Sequence, residues 1–141
     1  MIRKSLLIAA VACLAAGTAH ADMVKFHSDL SGDSEVPVKA TEGKGTADAT
    51  LDTSTKTLNY TVAYSGLTGP ATAAHFHGPA AAGANAGVAV PIAPPLASPI
   101  KGSTILTDAQ VADLEAGKYY TNIHTAANAG GEIRGQMMKT N

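Results

Sequence analysis

Cysteine is nearly absent from this chain: Cys13 is the only one in 141 residues. It sits in an apolar run near the N-terminus, so no pair of thiols exists to staple the rest of the chain. Tryptophan is missing and phenylalanine occurs twice, so a core must draw on Val, Ile, Leu and the four tyrosines. Charge is sparse, with 10 basic and 11 acidic residues, and Lys and Arg nowhere cluster. That excludes the electrostatic footprint of a nucleic-acid binder. Only one long hydrophobic run occurs, Leu6 to Ala16. It is too short for a spanning helix, which needs roughly 20 apolar residues.

The run has the flanks of a secretory leader. Arg3 and Lys4 precede it, and Ala19-His20-Ala21 supplies a small-x-small cleavage signal. The expected mature chain is a single domain, residues 22–141, exported to the periplasm or beyond. A lipidated Cys13 is the competing reading, but the residues before it lack leucine and apolar sequence continues after it. Without the leader the chain keeps 8 basic and 11 acidic residues, a net charge of −3. About 120 residues must then hold by core packing alone, which is feasible at this size.

The remaining pattern is β. Val24, Phe26, Ser28 and Leu30 alternate with polar residues, as in a strand with one wet face. Gly45 to Leu51 is a weaker strand. Leu58, Tyr60, Val62 and Tyr64 fall on one face of the clearest one. Further strands are expected at Thr72–His77, "VAVPI", Ser103–Leu106, "YYTNIHT" and "EIRGQMM". Prolines 91, 94, 95 and 99 keep the segment around them from pairing centrally. One helix is expected. Thr107 caps it, Gln110 completes a capping box, Val111 and Leu114 face inward, and Gly117 ends it. Seven or eight short strands with Gly/Pro turns indicate a β-sandwich or barrel.

Outside the leader there are four histidines: His27, His75, His77 and His124. In "AHFHGP", His75 and His77 project from one strand face, their Cα atoms roughly 6.5–7 Å apart. Two imidazoles at that spacing can tilt onto one metal ion, while Phe76 anchors the strand from the other side. Tyr120, Asn122 and His124 share one face of their strand. If the two strands are neighbours, His124 becomes the third ligand. His27 is a fourth candidate, with a solvated strand histidine as its competing account. Imidazole sites suit copper or zinc; no organic cofactor is indicated. The bland reading is that each histidine hydrogen-bonds a nearby backbone group. Arg134 is expected to fork onto a carboxylate, Glu35 or Glu132, and tie the last strand to a loop.

The segments "LSGDSEVP", "GKGTADATLD", "LNYTVAYSGLTG", "AAHFHGPAAAG" and "YYTNIHTAANAGGEIRGQM" occur in this order. Together they resemble a CHRD domain, the module first described in chordin, over nearly the whole expected mature chain. The resemblance implies an all-β, immunoglobulin-like Greek-key β-sandwich with one short helix. It implies signature residues at His75, His77, Gly78, Pro79, Asn122, His124, Thr125, Gly131, Glu132, Arg134 and Gly135. It leaves their role open between structure and ligand binding. Ala129 stands where the family often has proline, and His27 where it usually has a small or polar residue; the latter argues against a shared ligand role for His27. In chordin the module belongs to an extracellular protein that sequesters growth factors, whereas bacterial members are mostly small exported proteins without assigned activity. The His-x-His strand with a distant third histidine is also similar to copper/zinc superoxide dismutase, but the bridging histidine and structural acid of that enzyme have no evident counterparts.

Two functions are therefore expected. One is an exported domain that binds a transition metal, monovalent or divalent, with copper ahead of zinc, through His75, His77, His124 and His27. The other is a non-catalytic extracytoplasmic module that recognises a protein or glycan, its histidines structural. In either case Glu35, Asn122, Glu132 and Arg134 are expected to make structural polar contacts. An enzyme is not the expected reading.

Overall fold

A computed structural model describes residues 22–140. The expected leader, with Cys13, lies outside the described residues. Among the described residues nine strands and one α-helix follow in chain order, with one turn of 3-10 helix (Gly32–Ser34) after the first strand: β1 (Met23–Ser31), β2 (Lys44–Asp52), β3 (Thr57–Ser65), β4 (Ala71–His77), β5 (Val88–Pro91), β6 (Ile100–Ile105), α1 (Asp108–Glu115), β7 (Tyr120–Thr125), β8 (Ile133–Gln136) and β9 (Met138–Thr140). All pairings are antiparallel.

The hydrogen-bonded order is β5-β4-β7-β8-β1-β2-β3-β6, with β9 also on β1. The sheet folds over at β8 and β1 into two facing layers. Phe76 of β4 meets Tyr60 of β3 across the interior, ring centroids 5.2 Å apart at 73°, an edge-to-face contact worth about 0.5–1.5 kcal/mol beyond its burial. β2-β3-β6 and β4-β7-β8 stand as the A-B-E and C-F-G strands of an immunoglobulin-type sandwich. The chain is thus an all-β Greek-key sandwich with one short helix. The prolines act as expected: Pro91 ends β5, the other three precede β6, and these two strands stand at the ends of the hydrogen-bonded order.

The alternating pattern sets the interior. Val24, Phe26 and Leu30 of β1, Leu58, Tyr60 and Val62 of β3, and Ile123 of β7 are buried. Both phenylalanines are almost wholly enclosed, so the core leans on them more than their number suggests. Tyr120 is buried on the other side of its strand, outside the core. The expected helix is present. Thr107 Oγ1 accepts the Gln110 N–H, Gln110 Oε1 accepts the Thr107 N–H, and Leu114 is fully buried. Gln110 Nε2 also donates to the Ala89 carbonyl at 3.0 Å, fastening the helix to β5. The last expected strand is two, β8 and β9, interrupted at the buried Met137.

The layers join where β8 meets β1, at Ser31 and Arg134. Gly135 follows at once, and a Cβ there would strike the Asp29 carbonyl and the Ser28 hydroxyl. Backbone cannot yield as a side chain can, so Gly135→Ala is expected to cost about 1–3 kcal/mol through overpacking. Urea unfolding checks this; an unchanged midpoint would mean the layers are not tightly joined here.

Candidate metal centre

β4 lies between β5 and β7, so the strand carrying "HFH" is held on both edges. Ala74 and Phe76 turn into the core and are fully buried. His75 and His77 therefore turn to the outer face. On β7 the same alternation sends Ile123 inward and Tyr120, Asn122 and His124 outward. The register pairs His77 with Tyr120, His75 with Asn122, and Ala73 with His124. A methyl group opposite His124 leaves room for its ring to lean diagonally toward His75.

Ring centroids stand 4.9 Å apart for His75–His124, 5.3 Å for His75–His77 and 6.1 Å for His77–His124. One nitrogen from each of the three rings lies within 4.8 Å of the others. All three side chains are half-buried.

Carbonyl oxygens only accept, so they reveal which nitrogens carry protons. His77 Nδ1 donates to the Ala86 carbonyl at 3.0 Å and His124 Nδ1 donates to the Ala129 carbonyl at 2.9 Å. In the neutral rings both Nε2 atoms then bear lone pairs. His124 Nε2 accepts the His75 Nδ1–H at 3.0 Å. His77 Nε2 is buried and has no hydrogen-bond partner. A backbone carbonyl that fixes the tautomer and leaves the far nitrogen free is the usual outer-shell arrangement of a metal-ligating histidine. Burial, then the neighbouring imidazoles, hold His75 below the ordinary imidazole range. Burial also holds His77 below it, assisted by His124 and Arg134 and against the Ala86 hydrogen bond. Both shifts favour the neutral ring, the form that binds metals.

His27 is not brought to this group. It lies on β1, where Nδ1 sits 2.7 Å from Asp48 and Nε2 3.4 Å from Asp29. Its ring borders a groove of about 520 Å³ shared with Lys25, Asp48, Thr50 and Lys101. The Asp48 hydrogen bond raises its pKa, which favours the imidazolium and opposes metal ligation.

Beside the histidines, the loop between β4 and β5 folds back as a roof over the outer face. Its own side chains are mostly methyl groups, so its tethers rise from the sheet. Gln136 Nε2 donates to the Ala80 carbonyl at 2.9 Å, the Tyr120 hydroxyl accepts the Ala86 N–H at 3.1 Å, and Arg134 Nη1 donates to Asn85 Oδ1 at 2.7 Å. Arg134 Nη2 donates to the Ala84 carbonyl. The Arg134 fork thus ties its strand, β8, to a loop, but through a carbonyl and an amide. Among the described residues it forms no ion pair with Glu35 or Glu132.

The two carboxylates have opposite surroundings. Glu35 accepts from the Asn122 amide beneath Gly131, where φ is +122° and a Cβ would strike both side chains. Burial pushes Glu35 up to about 7, against the pull of Arg134 and Asn122. Glu132, fully buried, is also penalised by burial, but its donors outweigh that and hold it down to about 2. Those donors are Thr41 Oγ1 (2.7 Å), Thr68 N (2.8 Å), Thr68 Oγ1 (2.6 Å), Thr125 Oγ1 (2.6 Å) and Asn128 Nδ2 (3.2 Å). Sequence reading did not find Thr41 or Thr68: they lie in irregular segments with no periodicity to mark them. Nor did it find the Ala86 and Ala129 carbonyls, which no side-chain pattern signals.

The molecule is thus a β-sandwich carrying three convergent imidazoles on one outer face. A family model for the CHRD domain matches residues 26–137, which include all three histidines, Glu132 and Arg134. The chain belongs to the CHRD domain family. No curated protein and no solved structure matches it.

A carboxylate whose folded pKa is depressed adds stability above its unfolded value, lost as pH falls through the folded one. For Glu132 that window runs from 4.5 down to about 2, and the shift corresponds to about 3 kcal/mol. Glu132→Gln is expected to lose about that much at pH 7, because an amide cannot accept from all five donors, and to resist acid better relative to its own neutral stability. Chemical denaturation at pH 7 and pH 3 checks this; equal stability of the two proteins at pH 7 would contradict it.

Proposed function

We propose that this chain is an exported CHRD-domain protein that binds one transition-metal ion, copper ahead of zinc, through His75, His77 and His124. The observation that carries the reading is His77 Nε2: a lone pair buried beside two other imidazoles with nothing to accept from. An orphaned buried polar atom costs free energy unless something occupies it, and an ion ligated there would do so. His124 Nε2 becomes available when the His75 proton moves from Nδ1 to Nε2, a change of tautomer that leaves the ring neutral. The donor set is all nitrogen, which suits copper or zinc rather than magnesium or calcium. Export is supported by the family, whose domains are typically extracellular. Among the described residues no helix is long and apolar enough to cross a membrane.

A second reading has its own support. His75 and His124 already satisfy each other, and two backbone carbonyls take their share. That arrangement also serves a non-catalytic module recognising an extracytoplasmic protein or glycan, with the histidines as structural fillers.

Titration of untagged residues 22–141 with Cu and Zn separates the two. The metal reading expects one equivalent bound, lost in His77→Ala and in His124→Ala. Because burial holds His75 and His77 below the free-imidazole value of about 6.5, affinity is expected to hold from pH 8 down through that value and to fall at lower pH as protons compete. Absence of binding, or affinity unchanged between pH 8 and pH 5, would leave only the interaction module.

A further inference from the structure

His77 sits at one end of a three-layer stack. Its ring lies parallel to Tyr120, centroids 4.8 Å apart and planes within 3°. On Tyr120 rests the Arg134 guanidinium, its Cζ 3.5 Å from the ring centroid. Tyr120 and Arg134 are both nearly inaccessible to solvent. A guanidinium over an aromatic face is held by the ring quadrupole and by stacking. The Tyr120 plane is therefore pinned from the side away from the imidazole, and it pins the imidazole in turn.

Arg134 reaches His77 by a second route. Its two terminal nitrogens hold Ala84 and Asn85 of the roofing loop. The next residue is Ala86, whose carbonyl keeps the proton on His77 Nδ1 and whose N–H and carbonyl both engage the Tyr120 hydroxyl. One side chain thus sets the plane of the ring through the stack and its tautomer through the loop. His124 has no such dependence, since its Nδ1 partner Ala129 lies in the β7–β8 turn.

We infer that Arg134 is the positioning residue for His77, holding Nε2 of that ring unprotonated and aimed at the other two imidazoles. The geometry of the inference is independent of any ion; its consequence for metal affinity rests on the reading proposed above. Arg134 belongs to β8, so the inference gives that strand a part in the site beyond joining the two layers.

The test is Arg134→Lys, which keeps the charge and loses both the plane and the fork. Imidazole 15N shifts of the metal-free protein read the tautomers directly. Wild type is expected to show His77 as a single Nδ1–H tautomer. In the variant His77 is expected to populate both tautomers, while His124 stays fixed as the internal control. Copper affinity is expected to fall about 10- to 100-fold, the usual effect of removing an outer-shell partner. A variant with unchanged His77 shifts and unchanged copper affinity would overturn the inference; so would equal disturbance of His77 and His124, which would mark a general loosening. Should the lysine variant not fold, Asn85→Ala at the exposed loop removes one of the two Arg134 acceptors. It is expected to shift His77 in the same direction by less, and unchanged His77 signals there overturn the inference too. If wild type binds no copper yet His77 alone responds to Arg134, the positioning role stands and the metal reading falls.

Discussion

The buried Glu132 carboxylate organises the part of the molecule that matters most. A carboxylate removed from water is costly unless hydrogen-bond donors replace its hydration. Here the donors come from separate parts of the chain: Thr41 ahead of β2, Thr68 in the crossing from β3 to β4, Thr125 at the end of β7 and Asn128 in the turn beyond. Satisfying one ion therefore ties the β3–β4 crossing to the β7–β8 hairpin. Thr68 leads into the strand of His75 and His77, and Thr125 directly follows His124. The polar knot and the imidazole cluster are two consequences of the same placement.

The outer face of the β4-β7-β8 layer differs from an ordinary solvated sheet face. Asn122, Arg134 and Tyr120 point away from the core yet are buried. Glu35 and Gly131 cover Asn122, whereas Tyr120 and Arg134 are covered by a segment without charge: from Gly66 to Ile100 no Asp, Glu, Lys or Arg occurs. Small neutral residues let backbone approach the sheet closely enough for its carbonyls to serve as acceptors. The sheet supplies long side chains with donors, and the loop supplies oxygens. His77 Nδ1 and His124 Nδ1 use carbonyls of this kind. The uncharged loops are in this sense part of the site's chemistry rather than filler between strands.

Much of this was legible in the sequence. Period-two alternation placed the two histidines of β4 on one face, and likewise Tyr120, Asn122 and His124 of β7. The capping box announced α1 residue by residue. The alternation could not say that β4 and β7 pair, nor that Ala73 faces His124, because register depends on contacts far apart in the chain. The same limit explains Arg134. Its tie to a loop could be read from its position on the last strand, but the partner was expected to be a carboxylate, since attraction of charges is all a sequence displays. In the folded chain Glu132 is saturated by neutral donors and Glu35 is engaged by Asn122, so the guanidinium takes a carbonyl and an amide instead. His27 misled for a related reason: a histidine on a wet strand face looks available until its aspartate neighbour across the ladder is known.

The central claim is that the rings at 75, 77 and 124 form one nitrogen-only binding site. X-ray absorption on copper-loaded, untagged protein tests it most directly. The account predicts a first shell with about three imidazole nitrogens near 2.0 Å, the usual imidazole–metal distance, with outer-shell scattering from the rings. A first shell of oxygen alone, or of methionine sulfur, would contradict it.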